Sequence, residues 1–113
     1  MKETEHNIQV ACATWMHAQY PNCLGYAIPN GGKRNAAVAA KLKAEGVVSG
    51  MPDIHIPVAR KGFIGLWIEM KAGKNKQTKN QMAIMDMLRN EGHKYEVCYS
   101  FEEFQKVVNG YLK

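Results

Sequence analysis

The segment from residue 53 to residue 99 constrains the fold most, because its pattern predicts two strands, a helix and a further strand in that order. Two apolar segments are separated by a short turn that contains Gly62. Thr78-Lys79-Asn80-Gln81 has the form of a capping box and begins a helix. A helix that joins two strands normally returns the second one parallel to the first, so we predict a sheet with a parallel crossover. The predicted strands are Asp53–Val58, Phe63–Lys71 and Lys94–Tyr99, and the helix covers 78–91.

The rest of the chain adds three helices and one short strand to this unit. Apolar residues recur at helical spacing over residues 5–19, and the Ala-rich residues 35–45 favour a helix that ends before Gly46. Residues 24–28 form a candidate strand, and residues 101–112 form the last predicted helix. The resulting order, α-β-α-β-β-α-β-α, predicts an α/β fold in which helices flank a small mixed sheet. We expect residues 1–113 to form a single domain.

The composition excludes several classes of protein. With 46% hydrophobic and 22% charged residues, the chain is typical of a globular protein. No apolar run approaches the roughly 18 residues that a membrane span needs, and the N-terminus lacks the apolar region of a secretory signal. Cys12, Cys23 and Cys98 are an odd number and lack the spacing of metal ligands. We therefore expect no disulfide framework, no structural zinc site and no association with a membrane. The expected location is the cytoplasm, or the host cytoplasm for a phage protein.

Positive charge is concentrated in the middle of the chain. The net charge is +5, but residues 33–79 alone hold ten lysine or arginine residues against three acids. Such a concentration is expected where a protein faces a polyanion such as DNA. A solvated lysine-rich surface without an acidic partner is the other interpretation.

Three charged side chains are predicted to meet at one end of the two central strands. Side chains alternate between the faces of a strand, so Asp53 lies opposite the apolar residues of the first strand. Glu69 and Lys71 likewise share the face of the second strand that carries Trp67. Pro52 cannot donate a hydrogen bond to the sheet and suits the start of a strand, where Asp53 is free to reach a ligand. The three charged groups converge if the strands pair with this face in common.

Two carboxylates beside a lysine suit a hard divalent cation. Mg²⁺ prefers oxygen ligands, is often held by one or two carboxylates and keeps several waters. Such an ion lowers the pKa of a bound water and offsets the charge that builds up on a reacting phosphate. A nearby lysine positions the water and stabilises the same charge. The alternative interpretation of Glu69-Met70-Lys71 is an ordinary surface ion pair, which contributes little.

Three sequence elements, in this order along the chain, resemble those of a nuclease family. They are the segment Glu45-Gly46-Val47-Val48-Ser49-Gly50-Met51-Pro52-Asp53, then Ile68-Glu69-Met70-Lys71, and then Thr78-Lys79-Asn80-Gln81. The Pro-Asp and Glu-x-Lys pair is similar to that of the PD-(D/E)XK nucleases. The full set resembles the VRR-NUC (virus-type replication-repair nuclease) family over nearly the whole chain. This resemblance implies a restriction-endonuclease-like α-β-β-β-α-β core in a stand-alone domain of the phage or bacterial type.

The resemblance also implies a catalytic centre that depends on Mg²⁺ or Mn²⁺. By analogy with the family, Asp53 and Glu69 hold the metal ion together with the backbone carbonyl of Met70. Lys71 orients the attacking water. Met70 stands where a β-branched residue or leucine is more usual, and we expect no effect because its side chain points to the other face.

Two further residues have a structural interpretation beside the catalytic one. The resemblance implies that Glu5 reaches the site from the first helix, through a metal-bound water or a second ion. Alternatively Glu5 is a first-turn acid that complements the helix dipole, and Glu3 is the substitute candidate. Gln81 is implied to lie beside Lys71, whereas its capping-box position predicts a bond to the backbone of Thr78. We expect only one of these roles, because one side chain is not expected to fill both at once.

Two basic segments are candidates for contact with the DNA backbone. Lys33 and Arg34 follow a glycine-rich turn that lacks the spacing of a nucleotide-binding P-loop. This turn is either a phosphate contact or an ordinary loop before a helix. Lys74, Lys76 and Lys79 lie beside the predicted site and would give non-specific, salt-sensitive affinity.

The sequence therefore predicts a metal-dependent endonuclease that hydrolyses DNA phosphodiester bonds, with branched DNA such as four-way junctions as a candidate substrate. A homodimer is expected, because stand-alone members of the family resemble junction-resolving enzymes that pair up. One rival hypothesis is a non-catalytic nucleic-acid-binding module on the same fold, which predicts DNA binding that is indifferent to Asp53→Ala. The other is a small partner-binding protein, which predicts that neutralising the three lysines at 74, 76 and 79 leaves DNA affinity unchanged.

Overall fold

The computed structural model describes residues 4–29 and 35–113, and the elements in these ranges follow the predicted order. The segment that contains Lys33 and Arg34 lies outside the described residues, as does Glu3. None of the helices in the described ranges is both long and apolar enough to cross a membrane. The helices are α1 (Glu5–Gln19), α2 (Ala36–Ala44), α3 (Lys79–Asn90) and α4 (Phe101–Leu112). The strands are β1 (Tyr26–Ala27), β2 (Ile54–Ile56), β3 (Leu66–Met70) and β4 (Lys94–Cys98).

The four strands form one mixed sheet in the order β1-β2-β3-β4. β2 pairs antiparallel with both β1 and β3, whereas β3 and β4 are parallel and are joined through α3, so the predicted crossover is confirmed. β2 and β3 are shorter than predicted. β2 ends where Pro57, which has no N–H to give to the ladder, follows Ile56, and beyond it only Arg60 and Phe63 form an isolated bridge.

Alternation along the central strands separates an apolar face from the face that carries the charged residues. On the apolar face, Ile54, Ile68 and Met70 are almost completely buried against α1 and α4. Complete burial of one such side chain contributes about 1.5–3 kcal/mol. Trp67 and Glu69 point to the other face of β3 and are buried as well. β3 is therefore central, and its charged residues are held inside the protein.

Gly50 lets the loop before β2 pack directly on the first turn of α3. A Cβ atom at this position would lie 2.9 Å from the backbone carbonyl carbon of Asn80, and the φ angle of +89° also favours glycine. Asn80 Nδ2 donates a 3.3 Å hydrogen bond to Ser49 Oγ in the same contact. This close approach fixes the loop that leads to Asp53 beside the helix turn that carries Gln81.

Candidate active site

The ends of β2 and β3 bring an aspartate and a glutamate together. Asp53 immediately precedes β2, and its backbone N–H donates to the carbonyl of Ile68 on β3. Its carboxylate atom Oδ2 accepts a 2.7 Å hydrogen bond from the N–H of Met70. The side chain of Asp53 thus extends the contact between the two strands to the last residue of β3. Because residues 53 and 69 both lie on the face opposite Ile54 and Ile68, the structure places Asp53 beside Glu69.

Glu69 is fully buried, and its two carboxylate oxygens have different surroundings. Oε1 accepts hydrogen bonds from the hydroxyl of Tyr95 at 2.5 Å and from Nε2 of Gln77 at 3.1 Å. Oε2 is buried without a hydrogen-bond partner in the described part of the chain, and it faces Lys71 Nζ at 3.5 Å. The interpretation of Glu69 and Lys71 as a surface ion pair is wrong, because both side chains are buried. Such an arrangement fixes one oxygen and leaves the other able to bind a cation.

Gln81 fills both of the roles that we expected to exclude each other. Its side-chain atom Oε1 accepts a 2.8 Å hydrogen bond from Lys71 Nζ and a 2.9 Å hydrogen bond from the backbone N–H of Thr78. The capping box is complete, since the N–H of Gln81 donates to Thr78 Oγ1 at 3.1 Å. The expectation of a single role was wrong because an amide oxygen has two lone pairs and can accept two donors. Lys71 is consequently tied to the beginning of α3.

Negative charge is concentrated around Asp53. Burial raises the pKa of Asp53 above its usual value, and the charges of Glu5 and Glu69 raise it further. The hydrogen bond from Met70 and the charge of Lys71 act in the opposite direction. Glu5 therefore lies close enough at the start of α1 for its charge to act on Asp53, although it also occupies the first turn of its helix. A bound cation would relieve this accumulation of like charge.

The two carboxylates suit a hard divalent cation that keeps several of its waters. They do not suit a metal ion that is held by protein ligands alone. Among the residues that the structure describes, no cluster of three or more His, Cys, Asp or Glu side chains is arranged to hold a metal ion. Asp53 and Glu69 remain as a pair of oxygen donors, with one unbonded buried oxygen on Glu69. Mg²⁺ suits such a pair because it is commonly held by one or two carboxylates and keeps its waters. The ligand role of the Met70 carbonyl stays a prediction.

The basic residues next to the site differ from Lys71 in their exposure. Lys74 and Lys76 are exposed in the segment that joins β3 to α3, and Lys79 is exposed at the first position of α3, so all three are available to a ligand that approaches Asp53 and Glu69. The hydroxyl of Tyr99 donates a 2.9 Å hydrogen bond to the carbonyl of Asn75 and so connects this segment to the end of β4.

The sequence analysis missed Tyr95 and Gln77, the two residues that hold Glu69. Tyr95 pairs with Trp67 in the parallel register of β3 and β4, which places it on the face that carries Glu69. Burial, and then its hydrogen bond to Glu69, strongly raise the pKa of the Tyr95 hydroxyl, so it remains a donor at neutral pH. A tyrosine in a strand has no local pattern that reveals its partner; only the register between two distant segments does so.

We expect Tyr95→Phe to weaken metal binding by about 10-fold or more, because groups that orient a ligand typically contribute this much to metal affinity. Two Mg²⁺ titrations measure this effect, one followed by DNA cleavage and one by the melting temperature. The Mg²⁺ concentration at the midpoint should increase in both. Tyr111→Phe is the matched control, since it removes a tyrosine hydrogen bond to the Val58 carbonyl on the other face of the sheet. Equal Mg²⁺ titrations for the two variants would contradict the role of Tyr95.

The comparisons with known proteins cover almost the whole chain. Residues 3–102 match the sequence model of the VRR-NUC domain family. A solved structure described as a VRR-NUC domain protein is 27% identical, with a TM-score of 0.81 over 99% of this chain and 90% of the other. No curated protein matches the chain. The residues of the site lie within the matched range, and the predicted mixed α/β fold is confirmed by the similar structure.

Proposed function

This chain belongs to the VRR-NUC domain family, and from that premise we propose that it is an endonuclease that hydrolyses DNA phosphodiester bonds with Mg²⁺ or Mn²⁺. Membership of this family supports nuclease activity in general. The metal, the DNA structure that is cut and the position of the cut belong to the proposal.

The observation that carries the proposal is the buried pair of Glu69 and Lys71 beside Asp53. Burial of an ion pair is costly, and the pair stays only 3.5 Å apart with one Glu69 oxygen unbonded. A protein that only binds DNA gains nothing from a buried carboxylate and a half-buried one that together face a polyanion. Both features are expected of a site that holds a cation and acts on a phosphate.

Each residue of the site has a separate role in the proposed hydrolysis. Asp53 and Glu69 would hold the divalent ion, which when bound polarises the phosphate and lowers the pKa of a coordinated water. In hydrolysis the water oxygen forms a bond to phosphorus and loses a proton to the solvent. The bond from phosphorus to the leaving oxygen breaks, that oxygen takes up a proton from the solvent, and negative charge builds up on the phosphate in the transition state. Lys71 donates a hydrogen bond to this water or to a charged phosphate oxygen. Gln81 keeps Lys71 Nζ in position through its 2.8 Å hydrogen bond.

The experiment that tests the proposal uses the whole protein on duplex, flap, four-way-junction and circular single-stranded DNA. We expect cleavage with Mg²⁺ or Mn²⁺ and none with EDTA. Cutting of the circular DNA identifies an endonuclease, since a circle has no end. DNA binding without cleavage in either metal on every substrate would contradict the proposal and favour the non-catalytic binding module.

The three lysines at positions 74, 76 and 79 are expected to bind the DNA backbone. Replacement of all three by alanine should reduce the slope of log affinity against log salt by up to about 2.7, because each lost phosphate contact reduces it by about 0.9. Fluorescence anisotropy in Ca²⁺ at several salt concentrations measures this slope. The charge-matched control replaces Lys61, Lys94 and Lys106, which line a pocket on the α4 side of the protein. Equal slopes for the two triple variants would show an effect of net charge alone.

We also propose that the active form is a homodimer that acts on branched DNA. A domain of this size offers one such site, and two copies related by a two-fold axis present two sites to the strands of a junction. Light scattering of the protein without DNA measures the oligomeric state. A mass near 12.7 kDa, that of one chain, would contradict the homodimer.

A further inference from the structure

A row of ring side chains crosses the sheet beside the carboxylates of the candidate active site. The strand registers pair Tyr26 with His55 and His55 with Trp67, so the three rings share one face. Asp53 lies two residues before His55, just ahead of β2, and Glu69 lies two residues after Trp67 on β3, so both are on this same face. Two residues of a strand span about 7 Å, so this is the distance along the strands between the row and the proposed metal ligands. It is similar to the spacing of neighbouring nucleotides in an extended DNA strand.

The rings of this row are held in place by direct contacts. The imidazole of His55 stacks on the indole of Trp67 with 3.8 Å between ring centroids and 9° between planes. The Tyr26 hydroxyl lies 2.7 Å from His55 Nδ1. Trp67 Nε1 donates a 3.1 Å hydrogen bond to Nδ1 of His93. Every ring from Tyr26 to His93 therefore has a partner that fixes its orientation.

The absence of a side chain at Gly65 makes room for the two imidazoles. A Cβ atom on this buried glycine would lie 3.3 Å from His93 Nδ1 and 3.5 Å from His55 Nε2. A side chain at Gly65 would therefore contact both imidazoles, and the His93 ring would have to shift by a few tenths of an ångström. This close fit is a feature of the row that metal binding at Asp53 does not explain.

The row is buried at one end and open at the other. Trp67 is buried, His55 is half-buried, and 40% of Tyr26 remains exposed on the edge strand β1. Packing explains the buried rings. It does not explain why a tyrosine at the edge of the sheet keeps an exposed ring while its hydroxyl is held by a histidine. An exposed and immobilised aromatic ring is the kind of surface on which an unpaired nucleobase stacks.

We propose that Tyr26, supported by His55, is a stacking platform for one unpaired nucleobase of the DNA strand whose phosphate enters the candidate active site. This inference rests on the proposed nuclease function and names the feature of the substrate that the site selects. Bases in a duplex are already stacked on their neighbours, so only an unpaired base can occupy the platform. Because every base has a π-face, the platform selects unpaired DNA without selecting a sequence.

The test compares DNA affinities of the wild type, Tyr26→Ala and Tyr26→Phe in Ca²⁺. Stacking of one base on an aromatic residue corresponds to about a 5- to 150-fold change in affinity. We expect Tyr26→Ala to weaken binding to flap DNA by at least about 5-fold and to change binding to blunt duplex by less than about 2-fold. Tyr26→Phe keeps the ring and should keep the preference for the flap. A 2-aminopurine placed at successive unpaired positions should be quenched by the wild type and by Tyr26→Phe at one position, and not by Tyr26→Ala.

Each outcome bears on one hypothesis. Equal effects of Tyr26→Ala on flap and duplex, or no effect on either, would overturn the platform, provided that the melting temperature shows a folded variant. Metal-dependent cleavage by the wild type would then still support the proposed function. Absence of cleavage by the wild type on every DNA would instead contradict the nuclease, even if 2-aminopurine quenching persisted. Lys106→Ala, an exposed change on α4, serves as the control for both measurements.

Discussion

Lys71→Met should lower metal-dependent DNA cleavage by about 10²- to 10⁴-fold while DNA binding in Ca²⁺ stays within about 2-fold. Removal of one hydrogen-bond donor that stabilises developing charge costs about 10²–10³ in rate, and loss of the group that positions the attacking water adds to this. Methionine retains most of the aliphatic side chain, so the buried volume changes little. Lys71 is buried and is held by Gln81, so its contribution to DNA affinity is expected to be small beside that of exposed lysines.

The control for this prediction is Lys106→Met, which removes the same charge from an exposed position on α4. It should cleave DNA at the wild-type rate. Single-turnover cleavage at saturating protein separates the chemical step from binding. A Lys71→Met protein that cleaves as fast as Lys106→Met would contradict the catalytic role of Lys71. A Lys71→Met protein that neither binds nor cleaves would place the residue in DNA binding instead.

The local order of the elements was predictable because each boundary has its own chemical signal. Thr78 and Gln81 form the capping box expected from the sequence, and Gly46 follows the end of α2 with a positive φ angle. The alternation along β3 correctly separated Met70 from Glu69, because side chains of a strand point to opposite faces. These signals depend on neighbouring residues only, so the sequence contains them in full.

What lay beyond prediction depends on register and on contacts between distant segments. Tyr95 holds Glu69 across 26 positions of the chain, and its place opposite Trp67 follows from the parallel register of β3 and β4. No spacing rule gives that register, since a shift by one residue would turn Tyr95 to the other face. The reason for a glycine at position 50 also depends on a distant segment, because only the structure reveals that Asn80 of α3 lies against it.

The burial of Glu69 and Lys71 is the difference that most affects the functional interpretation. From the sequence alone, an isolated Glu-x-Lys pattern is more often a solvated ion pair than a catalytic site. The distinction comes from coverage by α3 and β4, which surround the charged face of β3 and supply Gln81 and Tyr95. Sequence patterns indicate which face of a strand a residue occupies. How deeply that face is buried depends on how many other elements cover it.

Asp53→Asn should abolish cleavage and, without metal, should leave the protein as stable as the wild type or more stable. Asparagine keeps an oxygen that can accept the hydrogen bond from Met70. It removes the negative charge of Asp53, which Glu5 and Glu69 repel. Relief of about 1 kcal/mol of like-charge repulsion at neutral pH raises the melting temperature by about 4 °C in a domain of this size. A residue retained at a cost to stability is expected where function needs it.

The opposite effects of Asp53→Asn with and without metal make this prediction specific. Mg²⁺ at 100 times its dissociation constant stabilises the wild type by about 2.7 kcal/mol, because only the folded state holds the ion. Asp53→Asn should lose most of this gain, so its melting temperature should be similar in EDTA and in Mg²⁺. Asp86→Asn is the control, since it removes an exposed acid from α3 and should respond to Mg²⁺ like the wild type. If Mg²⁺ stabilises Asp53→Asn and the wild type equally, Asp53 is not a ligand, and the cation that the buried Glu69 oxygen is proposed to bind must be held by other residues.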